Sequence, residues 1–113
     1  MPPRKDVPSG TLDLLVLRII ARGPIHGWGL MKRLGDLTED VFQVTPGGLF
    51  PALQRIEEYG WITGEWGLSE NNRKARFYTI TKAGRAHLAA EATVWFRYAG
   101  AVTQVLRSSP ALS

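Results

Sequence analysis

Cysteine is absent from this chain of 113 residues, and so are long apolar runs. Without cysteine the chain forms no disulfide, no thiolate zinc site and no cysteine nucleophile. No stretch approaches the ~20 consecutive apolar residues of a transmembrane helix. Residues 1–6 (MPPRKD) lack the apolar core of a secretory signal. These absences predict a cytoplasmic protein without a membrane partner.

Patterns for catalysis and metal binding are scarce as well. The two histidines, His26 and His87, fall on different predicted elements without a carboxylate at ligand spacing, so we expect no metal site. Glu57 and Glu58 are adjacent, and neighbours on a helix point about 100° apart, which argues against a catalytic pair. No phosphate-binding glycine loop is present. We therefore expect neither an enzyme nor a bound cofactor.

The residues that are present fit one small globular domain whose charge is unevenly distributed. Apolar residues make up 44% of the chain, and the net charge is +4. Residues 69–85 contain five basic residues and one acid, so this segment holds the whole excess of positive charge. A localised basic patch is typical of a phosphate-binding surface, although a solvated loop of chance composition would give the same count.

Two helices are predicted after a flexible, proline-rich arm at residues 1–8. Apolar residues at helical spacing predict the first from residue 9 or 11 to 22, stopped by the Gly-Pro pair at 23–24. The second is predicted over residues 27–37, with His26 as its cap. Its inward-facing residues are predicted to be Leu30, Leu34 and Leu37.

A third helix is predicted from a start between Thr45 and Gly48 to residues 59–60. Pro51 is compatible with it if Gly48 is the cap, because the amides of the first turn have no helical partner. The buried side is predicted to hold Leu49, Leu53 and Ile56. Gln54 and Arg55 face outward, where they suit base edges or phosphates, although exposed polar residues are also common on helices that bind nothing.

A hairpin and a long helix follow. Residues 61–68 and 73–80 alternate as strands do, and Glu70, Asn71 and Asn72 form a turn, since asparagine tolerates positive φ. A helix over 82–106, capped by Thr81, carries apolar residues spaced as in a coiled coil. At about 37 Å the helix is longer than this domain can cover. We expect a second subunit to cover its apolar seam, and the alternative is that the helix packs on its own domain. The seam residues are Leu88, Ala92, Trp95, Ala99, Val102 and Leu106.

This order of elements predicts a mainly α fold with a small β-hairpin, a winged helix-turn-helix with a long C-terminal dimerisation helix. The predicted segments are the arm at 1–8, the DNA-binding domain at 9–81, the dimerisation helix at 82–107 and a tail at 108–113. In such a domain the third helix enters the major groove of double-stranded DNA and the hairpin follows the backbone.

Several motifs resemble the PadR family of bacterial transcriptional regulators, in its compact branch with one short C-terminal helix. They are GTLDLLVL at 10–17, GPIHGWGL at 23–30, GGLFPALQRIE at 47–57, GWI at 60–62, NNRKARFYTIT at 71–81 and Gly84. The resemblance covers roughly residues 9–88. It implies a homodimeric repressor on a palindromic operator, released by a small molecule or another signal.

The resemblance also implies which residues contact DNA. On the recognition helix these are Gly48, Leu49, Phe50, Pro51 and Gln54, and on the wing they are Asn72, Arg73, Lys74 and Arg76. The family usually has serine or threonine where this chain has Gly48, and tyrosine where it has Phe50. The missing hydroxyls are expected to remove bonds to phosphates, each worth on the order of 1 kcal/mol.

Trp95 has two interpretations. It is a core residue of the dimer seam, or it is one wall of an effector pocket between subunits, because an indole offers a flat face to a planar ligand. In the multidrug-sensing members of the compact branch, a tryptophan at a similar position lines such a pocket, and Phe96 and Val102 would join it here. The rival to a regulator is a winged-helix module for protein contact or ligand sequestration, with weak DNA affinity.

Overall fold

The computed structural model describes residues 9–110, which form four helices and a three-stranded antiparallel sheet. The predicted arm at 1–8 and residues 111–113 of the predicted tail lie outside the described residues. The prediction of a mainly helical winged domain with a small hairpin is confirmed. The elements are α1 (Ser9–Ile20), β1 (Ile25–His26), α2 (Gly27–Leu37), α3 (Pro46–Glu58), β2 (Ile62–Leu68), β3 (Lys74–Ile80) and α4 (Lys82–Arg107).

Side chains of residues with an extended backbone cap α2 and α4. The His26 Nδ1 accepts a hydrogen bond from the Gly29 amide at 3.0 Å, and the Thr81 hydroxyl accepts one from the Gly84 amide, also at 3.0 Å. Each cap satisfies an amide that the first helical turn leaves without a partner. Both predicted caps are confirmed.

The helix α3 begins within the predicted range, but its cap is Thr45 and not Gly48, the cap that would have put Pro51 in the first turn. The Thr45 hydroxyl accepts a hydrogen bond from the Gly48 amide at 3.3 Å, so Gly48 already lies in the first turn and Pro51 lies inside the helix. Pro51 has no amide hydrogen for the carbonyl of Gly47. Gly47 is exposed, so water can bond to that carbonyl instead.

The sheet has the strand order β1-β3-β2. The hairpin register pairs Ile62 with Ile80 and Leu68 with Lys74, and its turn includes Asn72 at φ 58° as expected. The strand β1 was not predicted. It is only two residues long, too short for an alternating pattern, and it pairs with Phe77 and Tyr78 on the other edge of β3.

One core joins the three N-terminal helices to the base of the hairpin. Leu37 is an exception among the predicted inward residues, because it is 54% exposed at the end of α2 and only Leu30 and Leu34 point inward. The buried residues are Leu12, Val16, Leu17, Ile19, Ile20, Leu30, Leu34, Leu49, Ala52, Leu53, Ile56, Ile62, Tyr78 and Ile80.

The helix α4 packs most closely on this domain at its beginning. Gly84 is buried against the backbone of Trp61, the Trp61 ring stacks on His87 with centroids 3.6 Å apart, and Leu88 packs against the core. Farther along, the helix exposes Val94, Trp95, Phe96, Tyr98, Val102, Val105 and Leu106. Within residues 9–110, no helix is both long and apolar enough to cross a bilayer.

Candidate nucleic-acid interface

The exposed side of α3 carries no polar side chain at its start, where Gly48, Phe50 and Pro51 lie, and carries Gln54 one turn later. Gly48, Phe50, Pro51 and Gln54 are exposed, as predicted for a recognition helix. Leu49 is wrongly predicted as a DNA contact, because its side chain is fully buried in the core. The Gly48 amide is taken by Thr45, but Gly47 is exposed and leaves its own amide open to close approach, and an amide at a helix start attracts phosphates.

Phe50 has a structural role besides its exposure. A Cβ placed on Gly27 would come within 2.8 Å of the Phe50 ring, so the ring lies directly on the backbone at the start of α2. Only a glycine at position 27 leaves room for this contact. The aromatic ring therefore packs against the start of α2, while its outer part stays open to solvent.

Gln54 remains available for a contact outside the chain. Its amide nitrogen lies 3.5 Å from a carboxylate oxygen of Glu58, one turn later, at the long limit of a hydrogen bond. Both residues are exposed. A glutamine held so loosely can turn its amide toward the edge of a base pair.

Arg55, in contrast, is already bound within the chain. Its Nη2 donates to Asp13 Oδ1 at 2.6 Å and its Nε donates to Asp13 Oδ2 at 3.4 Å, which joins α3 to α1. This hydrogen bond and the charge of Asp13 raise the pKa of Arg55, so the guanidinium stays protonated. The structure places Arg55 at the α1 side of α3, away from Gln54.

Arg76 is bound within the chain as well. Its Nη2 donates to Glu57 Oε2 at 2.6 Å, which ties β3 to α3. Gly64 makes the arrangement possible, because a Cβ there would collide with the guanidinium of Arg76. Arg76, predicted as a phosphate ligand, thus fixes the hairpin against the recognition helix.

The tip of the hairpin carries two unpaired cations. Arg73 and Lys74 are exposed, and within the described range 9–110 neither side chain forms an ion pair with a carboxylate. The turn beneath them is ordered by hydrogen bonds from the Ser69 amide to the Arg73 carbonyl at 2.9 Å and from the Asn72 amide to the Ser69 carbonyl at 2.8 Å. A firm loop therefore presents two free positive charges.

A contact that the sequence did not predict joins this tip to α2. The His26 Nε2 lies 3.6 Å from Glu70 Oε2, while Nδ1 of the same ring caps α2. A backbone hydrogen bond at Glu70 itself, and then His26, lower the pKa of that carboxyl group. His26 and Glu70 are far apart in sequence, and only the pairing of β1 with β3 brings them together.

A groove of about 610 Å³ runs between α2 and the hairpin tip. Its walls carry three cations, Lys32, Arg73 and Lys74, against one acid, Glu70, and an exposed indole from Trp28. Lys32 also pairs with Asp36 at 3.1 Å on the solvent side of α2. The balance of charge in this groove favours an anionic chain such as a nucleic-acid backbone.

The predicted effector and dimer residues lie far from this groove, on α4. Trp95 lines a second groove, of about 370 Å³, with Asp13 and Leu14 of α1 and with His87, Glu91 and Tyr98 of α4. Phe96 meets Trp95 edge to face at 6.0 Å between centroids, but neither it nor Val102 lines this groove. A single chain therefore does not bring the three predicted effector residues together.

The predicted seam on α4 is likewise only partly open. Leu88 packs against the core of its own domain, and Ala92 and Ala99 are half-buried. Trp95, Val102 and Leu106 remain exposed. No group of metal-ligating side chains occurs in the part of the chain that the structure describes.

Comparison with known proteins shows which family this chain is similar to. A model described as "Transcriptional regulator PadR-like family" matches residues 16–90, which run from α1 into α4. The transcriptional regulator Rv3488 of Mycobacterium tuberculosis is 33% identical over 84 residues, which cover 74% of this chain and 75% of that protein.

Solved structures agree with the family model. A PadR-like transcriptional regulator from Bacillus cereus superposes with a TM-score of 0.77 and 25% identity, covering 88% of this chain and 95% of that chain. A PadR family regulator from Eggerthella lenta superposes with a TM-score of 0.74 and 27% identity, covering 88% of this chain and 85% of that chain. Sequence and fold thus agree over the same elements.

Proposed function

The chain belongs to the PadR-like family of transcriptional regulators, and from that premise we propose that it is a homodimeric repressor acting on a palindromic operator in the cytoplasm. Membership makes it a DNA-binding regulator rather than an enzyme.

One observation carries the DNA-binding proposal. Two cations at the hairpin tip, Arg73 and Lys74, are exposed without a carboxylate partner in the described residues, whereas Arg55 and Arg76 of the same domain are both neutralised. Unpaired cations on an ordered turn have little folding role, because an exposed charge gains little from its own chain. They suit phosphates, which attract cations without regard to base sequence.

The wing and the recognition helix have different roles in the proposed interface. Arg73 and Lys74 on the wing, and the amide of Gly47 at the start of α3, take phosphates and fix the register of the protein on the duplex. Gln54 faces base edges, where its amide can pair with adenine in the major groove. Phe50 and Gly48 supply no hydroxyl, so this chain depends more on its wing than a relative with those hydroxyls would.

Dimerisation is proposed through the distal half of α4. Trp95, Val102 and Leu106 share one stripe of the helix and are exposed in the single chain. A second copy would cover this stripe with the same stripe of its own, as a two-fold interface requires. It would also place two recognition helices at a fixed spacing, which a palindromic operator needs.

A small planar effector is proposed at the same interface. Trp95 offers an indole face beside the exposed carboxylate of Glu91, and the two fit a planar cation better than a neutral ligand. Phe96 and Val102 would complete the pocket only across two subunits. Tryptophan fluorescence during titration with planar cationic dyes tests this, with Trp95→Ala as control. An equal response from the variant would contradict it.

Selection from a pool of random duplexes at two salt concentrations tests the proposed function. We expect recovery of a palindrome with half-sites about one helical turn apart, and an affinity that falls steeply as salt rises. Failure to enrich any sequence at either concentration would overturn the proposal. It would favour the rival, a winged-helix module for protein contact or ligand sequestration.

A further inference from the structure

The wing carries an exposed tryptophan that neither the core nor the recognition helix uses. Trp66 lies on β2 and is 62% exposed, although tryptophan is usually well covered. Truncating so exposed a side chain removes little from the core. Its position near Lys74, one of the two free cations of the tip, suggests a role in binding rather than in folding.

The strand register places Trp66 beside two basic side chains. Trp66 is directly opposite Arg76, and Leu68 is directly opposite Lys74, so Lys74 is the diagonal neighbour of the indole on the same face. The Lys74 Nζ lies 5.2 Å from the centroid of the indole, and the Arg76 guanidinium carbon lies 6.0 Å from it. Both are within range of a cation–π interaction.

The two cations beside Trp66 are not equivalent. Arg76 is fixed by Glu57 at 2.6 Å and lies across Gly64, where no side chain competes for the space. Lys74 has no carboxylate partner within residues 9–110, and the indole is its one described side-chain contact. A fixed Arg76 therefore supports one side of Trp66, and the indole in turn holds Lys74.

We propose that Trp66 is a positioning residue for DNA binding, whose indole holds Lys74 where a phosphate binds. A free lysine samples many rotamers, and binding must order it at an entropic cost. An indole that restricts Lys74 beforehand lowers this cost. The inference rests on the proposed DNA-binding function, and it extends the chain of contacts from Glu57 on α3 to the wing tip.

Substitutions separate the aromatic face from mere apolar bulk. Trp66→Leu keeps an apolar side chain but removes the π face, and we expect it to weaken duplex binding by about two- to fivefold per wing. Trp66→Phe keeps a face and should retain most of the affinity. Lys74→Ala should already lose what Trp66 contributes, so adding Trp66→Leu to it should cause no further loss.

The test measures duplex affinity of the full chain and the Trp66→Leu, Trp66→Phe, Lys74→Ala and double variants, with thermal unfolding as a check on folding. The pattern above would support the proposal. Equal affinities for the leucine and phenylalanine variants, an unchanged leucine variant, or losses that multiply in the double variant would overturn it.

A second measurement keeps the result separate from the proposed function. If the wild-type chain bound no DNA at all, the repressor proposal would fail, whereas NMR would still decide whether Trp66 holds Lys74. The ε-methylene protons of Lys74 should be shifted upfield by the indole ring and should return to their ordinary position in Trp66→Leu. Unshifted protons in the wild type would overturn the inference by themselves.

Discussion

Within α4, the first turns pack against the rest of the chain, whereas the later turns expose one large apolar side chain after another. Gly84 and Leu88 touch the domain, but Phe96, Val102 and Leu106 touch little of it. The apolar stripe is continuous along the helix, so its pattern alone does not reveal this change. The difference teaches that half of the stripe finds its cover within the chain and half needs a surface from outside.

The basic residues divide in the same way. Arg55 and Arg76 are bound by Asp13 and Glu57 in the body of the domain, while the wing-tip cations are not bound by any carboxylate in the described residues. Positions close in sequence, such as 74 and 76, therefore have different roles. The bound guanidinium groups of Arg55 and Arg76 orient the elements, and the free cations of the wing tip are left for a partner.

The largest expected effect is at the exposed end of α4. Val102→Glu would place an unpaired carboxylate in each half of the proposed interface, and burying such a charge costs about 3–5 kcal/mol. We expect the dimer dissociation constant to rise roughly a hundredfold or more, as measured by sedimentation equilibrium. Folding should be retained, because Val102 is 56% exposed in the single chain.

Gln104→Glu is the matched control for that change. It adds the same charge two residues farther on, about 200° around the helix from Val102, and Gln104 is exposed. The control should dimerise as the wild type does. Equal dimer affinity for the two variants would contradict the assigned face of α4.

Substitution of one glycine in each half of α4 by alanine compares the two halves directly. A Cβ at Gly84 would collide with the Trp61 carbonyl oxygen, whereas a Cβ at Gly100 meets nothing within 4 Å. We expect Gly84→Ala to lower the free energy of unfolding by about 1–3 kcal/mol. Gly100→Ala should raise it by about 0.5–1 kcal/mol, since alanine favours helix. If urea titrations showed that both substitutions change the free energy of unfolding in the same direction, the difference between the two halves of α4 would be contradicted.

Substitution of a free arginine should change the salt dependence of DNA binding, whereas substitution of a bound arginine should change the free energy of unfolding. Arg73→Gln should reduce the slope of log affinity against log salt by about 1.8, because each of the two subunits loses one phosphate contact worth about 0.9. Arg55→Gln should leave that slope unchanged and lower the free energy of unfolding by about 1–2 kcal/mol, because Asp13 loses its partner. Arg97→Gln, on exposed α4, controls for net charge. Equal slopes for Arg73→Gln and Arg97→Gln would contradict the wing assignment.

The smallest expected effect is on the alkaline stability of the core. Burial raises the pKa of Tyr78 above its ordinary 10.0, so the unfolded chain releases this proton first. The stabilisation is complete below pH about 10 and is lost as pH rises toward the folded pKa. Tyr78→Phe should therefore flatten the fall in urea stability between pH about 9 and about 11, while Tyr98→Phe, at an exposed site, should not.

Much of this fold follows from local patterns in the sequence. The helical period of leucines predicted the helices, and alternation with an asparagine turn predicted the hairpin. The cap of α3 was also readable, because Thr45 followed by Pro46 is a typical helix start. The strand β1 could not be predicted, since two residues show no period and their pairing partners lie some fifty positions away.

The candidate site was predicted less completely than the fold. The structure exposes three of the residues that were predicted to contact DNA, namely Gln54, Arg73 and Lys74. The partners of Arg55 and Arg76 lie 42 and 19 residues away, and no local pattern specifies such ion pairs. Leu49 was assigned to DNA by resemblance although its own helical period placed it in the core. Periodicity should have prevailed there, because a motif match does not distinguish buried from exposed positions.

The most direct test of the central claim is the mass of the complex on the selected operator duplex, measured by sedimentation equilibrium. A regulator that dimerises through distal α4 predicts two chains of 12.5 kDa on each palindrome. A saturated complex with one chain per duplex would contradict the account, because it would leave the exposed stripe of α4 without the partner assigned to it.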